Sequence, residues 1–225
     1  CRQIRLQRGV HIGGHVLSVG SSFDEAFPEV EIPISLLDRL SREYFPVIRP
    51  DAETQMRAVI EEARMARNSV GGTVEIAVSG FPAGIGGPLF GGVEPVLSSI
   101  LFGIPAVKGI EFGAGFQVAK ARGSENNDPF YYQDDQVRTK TNHACGILGG
   151  ITTGMPLLFR LALKPTSSIS LTQESINLST QSNEALEVHG RHDPCIVPRA
   201  VPVAEAAAAV ALLDLLLTAG DQRTL

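Results

Sequence analysis

Clustered glycines limit how long any element of this chain can be. Gly71-Gly72, the run 84–87 and the run 146–150 interrupt the sequence, and proline recurs between them. Glycine inside a helix or strand costs roughly 0.5–1 kcal/mol relative to alanine, so such pairs mark turns and close approaches. The pieces between the breaks are short and of both kinds, which implies an α+β or α/β chain with no short-period repeat.

The pieces can be read one by one. Val10, Ile12 and Val16 give an extended stretch ending at Gly20. Residues 21–50 are punctuated by proline, with a short helix expected over 36–44. A firm helix starts at Asp51, with Met56, Val59, Ile60 and Ala63 on one face and Arg57, Glu61, Glu62 and Arg64 opposite. Asp51 can accept a bond from a free first-turn N–H. Val74, Ile76 and Val78 alternate with Glu75 in a strand. A loop follows over 81–88, then a helix over 89–103 with Pro95 its weak point, then a glycine-rich strand over 107–116. Residues 122–141 are polar and expected to be mobile, with Asn126-Asn127-Asp128-Pro129 the strongest turn signal. Residues 146–151 hold too much glycine for a stable helix. Strands are expected over 157–163 and 184–189. The last helix should run over 202–219, with Pro202 in its first turn and Gly220 just beyond its end.

Composition removes several function classes. A formal net charge of −5 argues against general nucleic-acid binding. The apolar run 206–217 carries Asp214 and is too short to span a bilayer, and the opening residues have no secretory apolar core. The three cysteines, Cys1, Cys145 and Cys195, are odd in number and fit no metal-ligand spacing. No metal is expected, and a reducing compartment is the simpler reading. Cys145 and Cys195 read as buried small hydrophobes. The chain opens at Cys1 without a methionine and reads as the continuation of an earlier segment.

Two segments carry candidate chemistry. Lys164-Pro165-Thr166-Ser167-Ser168 places a cation beside three hydroxyls at the end of a strand, the donors a phosphate wants. On spacing alone a solvated turn rich in Ser and Thr is the favoured reading. Arg191-His192-Asp193 sets a guanidinium, an imidazole and a carboxylate in adjacent positions. On a strand, Arg191 and Asp193 would share a side while His192 faces away. That suits an anion site, or an ordinary surface pair. His11, His15, His143 and His189 read as structural or exposed. Neither glycine loop matches a dinucleotide-binding fingerprint.

In order and spacing these segments resemble the chorismate synthase family over nearly the whole chain. The matching pieces are residues 68–72, 82–86 and 106–111, Phe116, and residues 122–124, 142–144, 146–151, 164–168, 190–195, 199–202 and 205–206. The resemblance implies one α+β domain over residues 1–225, a β-α-β sandwich with antiparallel or mixed sheets flanked by helices. It implies a cytoplasmic lyase of the shikimate pathway to aromatic amino acids. The reaction is 1,4-anti elimination of phosphate from 5-enolpyruvylshikimate 3-phosphate, giving chorismate. Reduced FMN is the implied cofactor, with NADPH or a separate flavin reductase as the source of reduction and a homotetramer as the assembly. By resemblance, FMN is held by Pro105, Ala106, Gly149, Lys164, Pro165, Thr166, Ser167, Ser168 and Arg191. Arg191 also meets the substrate, and Asp193 is the carboxylate that assists proton removal. Where the family commonly has asparagine this chain has Pro105, so contact there would run through backbone. The family's N-terminal part, with two acid/base histidines and an Arg-Ser-Ser segment, has no counterpart here. The resemblance therefore covers a C-terminal two-thirds. A polypeptide beginning at Cys1 is expected to show little activity, or to be a non-catalytic fragment that keeps the fold and the oligomer interface.

Overall fold

The computed structural model describes residues 8–190 and 192–222. The N-terminal strand β1 (His11–Val19) is followed by the short β2 (Ser22–Phe23), helix α1 (Ile34–Leu40) and helix α2 (Pro50–Met65). Next come β3 (Gly72–Ser79), a 3₁₀ turn (Leu89–Gly91), α3 (Val93–Phe102) and β4 (Val107–Phe112). A one-turn helix α4 (Gly123–Asn126) precedes two hairpins, β5 (Phe130–Gln133) with β6 (Gln136–Thr139) and β7 (Ile147–Leu148) with β8 (Ile151–Thr152). The chain ends with β9 (Leu157–Leu163), the hairpin β10 (Gln173–Asn177) and β11 (Ser182–Leu186), and α5 (Val197–Gln222).

Five strands form one antiparallel sheet in the order β2-β1-β3-β9-β4. Helices cover both faces, and a pair of adjacent glycines on β1 lets them do so. A Cβ on Gly13 would press on Leu37 of α1, whereas one on Gly14 would meet Val201 of α5 and Ile76 of β3. Successive strand residues point to opposite faces, so α1 seats on one side and α5 on the other. Both helices approach the backbone closely where side chains are missing. The α5 side is apolar: Val16, Val74 and Ile76 are fully buried, together with Leu97, Leu101, Ala208 and Leu212 from α3 and α5.

Several boundaries move. α2 starts one residue earlier than expected, with Pro50 at its first position, and Asp51 makes no capping bond. Pro95 does not weaken a helix, because Gly92 ends the preceding turn and leaves Pro95 in the first turn of α3, where its missing N–H costs nothing. β4 ends at Phe112 and a 3₁₀ segment (Gly115–Lys120) follows. α5 begins five residues before Pro202, so that proline sits inside the helix. The polar stretch 122–141 holds α4 and the β5–β6 hairpin, whose Asp134-Asp135 turn has both residues left-handed. The strand expected over 184–189 is β11, ending at Leu186 and paired with an unanticipated partner, β10.

The segment Val197–Gly220 is long and apolar enough to cross a membrane by length and composition. Here it packs against β1, β3 and α3.

Candidate functional site

At the end of the sheet where β9 finishes and β3 begins, four segments meet. Gly71 has to be glycine: a Cβ there would collide with the Leu163 carbonyl and crowd Pro165. Its absence brings residues 69–71 against the strand exit. The Ser69 hydroxyl donates to the Thr166 carbonyl at 2.6 Å, and the Val70 N–H donates to the Pro194 carbonyl at 2.9 Å. From the other side the Lys164 N–H donates to the Ala106 carbonyl at 2.9 Å. Ala106 is left-handed, at φ 75°, a conformation that costs a non-glycine residue of order 1 kcal/mol or more and tends to gather at functional sites. The sequence-predicted positions Ala106, Lys164, Thr166 and the loop bearing Asp193 are thus brought together by backbone bonds.

A cleft of about 690 Å³ is lined by Arg67, Asn68, Ser170, His192, Asp193 and Arg199 among others; of the predicted site positions Asp193 lines it, whereas Ala106 and residues 164–168 do not. His192 and Asp193 both face it, so the expected alternation does not hold; the described part of this segment is no strand. The His192 Nε2 donates to the Val188 carbonyl at 3.0 Å when it carries the proton. Asp193 is ion-paired with the Arg199 guanidinium. Lys164 is exposed, and among the described residues its ammonium reaches only the carbonyl of Pro165. The Thr166 hydroxyl is buried and has no hydrogen-bond partner among the described residues. An orphaned buried hydroxyl costs about 1–3 kcal/mol, which a bound acceptor oxygen would recover.

Not every predicted position joins this cluster. Gly149 and Gly150 form the left-handed turn of the β7–β8 hairpin, which bonds to the start of α3 through Gly150. That hairpin precedes the entry of β9 and Lys164 follows its exit, so some 20 Å of strand separates them. Arg191 lies outside the described residues. Cys145 and Cys195 are buried, and burial pushes the Cys145 thiol up to about 12, which removes it from consideration as a nucleophile.

Sequence reading missed a second charged group. Across β1, β3 and β9 the register aligns His15, Glu75 and Arg160 in one row. His15 lies between two carboxylates, Nδ1 at 3.1 Å from Asp24 and Nε2 at 3.1 Å from Glu75. Arg160 Nε donates to the other Glu75 oxygen at 2.8 Å, and the Phe27 N–H also binds Glu75. His15 and Glu75 are 0% exposed. Burial alone would pull the imidazole down, but the two carboxylates outweigh it and hold His15 above its ordinary value. Burial would raise both acids. Against it, His15 with the Ile48 and Arg49 amides holds Asp24 below the usual range, and His15 with the Phe27 amide and Arg160 does the same for Glu75. The two buried anions are compensated by His15, by the half-buried Arg160 and, at 3.7 Å from Asp24, by Arg49, as buried charges require. The aligned row shares the α1 face with Gly13 and so clamps the 24–48 segment onto the sheet.

Known proteins share both the sequence pattern and the architecture. A profile described as chorismate synthase matches residues 1–217. A chorismate synthase of Dehalococcoides mccartyi is 54% identical over 169 residues, covering 75% of this chain and 46% of that protein. Those of Methanothermobacter thermautotrophicus and Lancefieldella parvula are 46% and 44% identical, covering 94% and 95% of this chain and 56% and 59% of theirs. The chain thus spans about half the length of the curated relatives it matches. A crystal structure of chorismate synthase superposes with a TM-score of 0.79 at 24% identity, covering 97% of this chain and 60% of that one, which establishes the common fold. With a profile running through nearly every residue and an architecture to match, the chain belongs to the chorismate synthase family.

Proposed function

We propose that this chain carries the flavin- and phosphate-holding part of a chorismate synthase, a lyase that eliminates phosphate from 5-enolpyruvylshikimate 3-phosphate to give chorismate. The observation that carries the reading is the meeting of Ala106, residues 164–166 and the Asp193 loop at one end of the sheet, with the Thr166 hydroxyl buried and without a partner among the described residues. The donor set suits FMN, whose phosphate would lie against Lys164, Thr166, Ser167 and Ser168, with Pro105, Ala106 and Arg191 beside it; Gly149, at the far end of β9, is not part of this cluster. Reduced FMN, when bound, supplies electron density that is lent to the substrate and returned, so the reaction has no net redox change. The protein's own part is electrostatic and positional. Lys164 and the hydroxyls hold the cofactor in place, donors facing the departing phosphate stabilise charge where it develops, and Arg191 orients the substrate. The Asp193 carboxylate, held by Arg199, assists removal of the ring proton. A cytoplasmic homotetramer, supplied with reduced flavin by NADPH or a reductase, belongs to the same reading.

Anaerobic titration with reduced FMN, followed by flavin absorbance, tests it. Lys164→Ala is expected to weaken binding about tenfold, the worth of one charge-assisted contact, while riboflavin, which lacks the phosphate, binds both proteins equally. Unchanged FMN affinity in the variant would overturn the assignment.

A further inference from the structure

We propose that Arg67 is an anion-binding residue whose guanidinium takes a phosphate group in the cleft, a function that rests on the phosphate-binding reading given above. The backbone supplies the first argument. α2 ends in a complete Schellman motif: the Asn68 N–H donates to the Ala63 carbonyl at 2.8 Å, and the Arg67 N–H to the Arg64 carbonyl at 3.0 Å. This motif demands a left-handed residue at Arg67, and the residue is left-handed, at φ 55°. Glycine meets the demand without a Cβ penalty; arginine does not. Arginine at this position therefore carries a backbone cost that glycine would not. The negative end of the helix dipole does not explain the arginine, since Arg64 already stands in the last turn.

The surroundings supply the second argument. Among the described residues three arginines line the cleft: Arg64, Arg67 and Arg199. Arg64 is forked onto Glu61 through bonds of 2.6 and 2.8 Å, and Arg199 is paired with Asp193. Arg67 is exposed and makes no ion pair with any described residue. Arg67 thus lines the cleft as an exposed arginine with no described carboxylate paired to it. A planar guanidinium fork matches phosphate geometry bidentately. The flavin's phosphate and the substrate's phosphate share this chemistry.

The two arguments predict opposite signs for one substitution. Arg67→Gly should relieve the turn and raise the melting temperature by about 2–4 °C, while raising the dissociation constant for inorganic phosphate about tenfold; Arg67→Lys should keep part of the affinity. A rise in melting temperature with unchanged phosphate affinity overturns the assignment and leaves the cleft's phosphate site standing. A wild-type chain that binds no phosphate overturns it as well. If Arg67→Gly and Lys164→Ala both leave reduced FMN and phosphate binding untouched, the proposed function falls too. The source is then separated by ligand. Loss of the preference for FMN over riboflavin in Arg67→Gly assigns the flavin's phosphate. A retained preference, with weakened binding of 5-enolpyruvylshikimate 3-phosphate, assigns the substrate's.

Discussion

Glu75 illustrates how a single residue can be read correctly in one respect and wrongly in another. Alternation with Val74, Ile76 and Val78 identifies the strand, but alternation also suggests one wet face, and here both faces are covered. What closes the second face is the 24–48 segment, whose contact with Glu75 spans 48 residues of sequence through the Phe27 amide. No local pattern contains that information. The same residue carries a pH dependence. Asp24 and Glu75 are held low, so what they contribute is complete above the ordinary carboxylate range, near pH 4, and lost as pH falls through their depressed values. His15 is held high, so its contribution is complete below about pH 6.5 and lost as pH rises through its elevated value. Denaturant midpoints measured across pH should therefore be highest between about 4.5 and 6.5. Glu75→Gln should cost about 3 kcal/mol in that window, because Arg160 and the imidazolium lose their shared anion. The alkaline decline should also begin at lower pH. A flat profile in the variant and the parent alike would contradict the network.

Elements were legible in proportion to how much of their signal is local. The hydrophobic runs of β3 and β9 and the amphipathic face of α2 are intrinsic to their sequences. Residues 146–151 lack helix-forming power, and they form the tight β7–β8 turn. The β5–β6 and β10–β11 hairpins escaped because they turn on Asp134-Asp135 and on Gln181 rather than on glycine. A proline signals a helix's first turn, and that signal places the start of α5 five residues too late. The helix begins at Val197 and tolerates the proline at the cost of a backbone bond. Pro202→Ala restores an N–H that can reach the Pro198 carbonyl, and thermal unfolding is expected to show a gain of about 1 kcal/mol. A loss instead would mean that the ring's packing, not the missing bond, dominates there. Of the candidate site, the Lys164 and Asp193 segments were legible as chemistry. Their meeting was not, because it depends on Gly71 letting two backbones touch.

The whole molecule divides into a heavily covered sheet and lightly attached hairpins. β1, β3 and β9 lie under helices or side-chain networks, whereas every residue of β11 is exposed and β10 is at best half-buried. Amide hydrogen exchange followed by mass spectrometry should therefore find the slowest amides in β1, β3 and β9, opening only with global unfolding, and the fastest in β10 and β11. Uniform protection across both would contradict this division. The β10–β11 hairpin also leaves the body beside Ser170 and returns beside Val188, with the Ser170 hydroxyl 3.5 Å from the Val188 carbonyl. The excursion closes on itself before the chain reaches Gly190. Extra residues grafted at its tip, near Ser179 and Thr180, would lengthen a stalk without dragging on the two segments it joins, which makes that tip a natural place to attach a label or a tether.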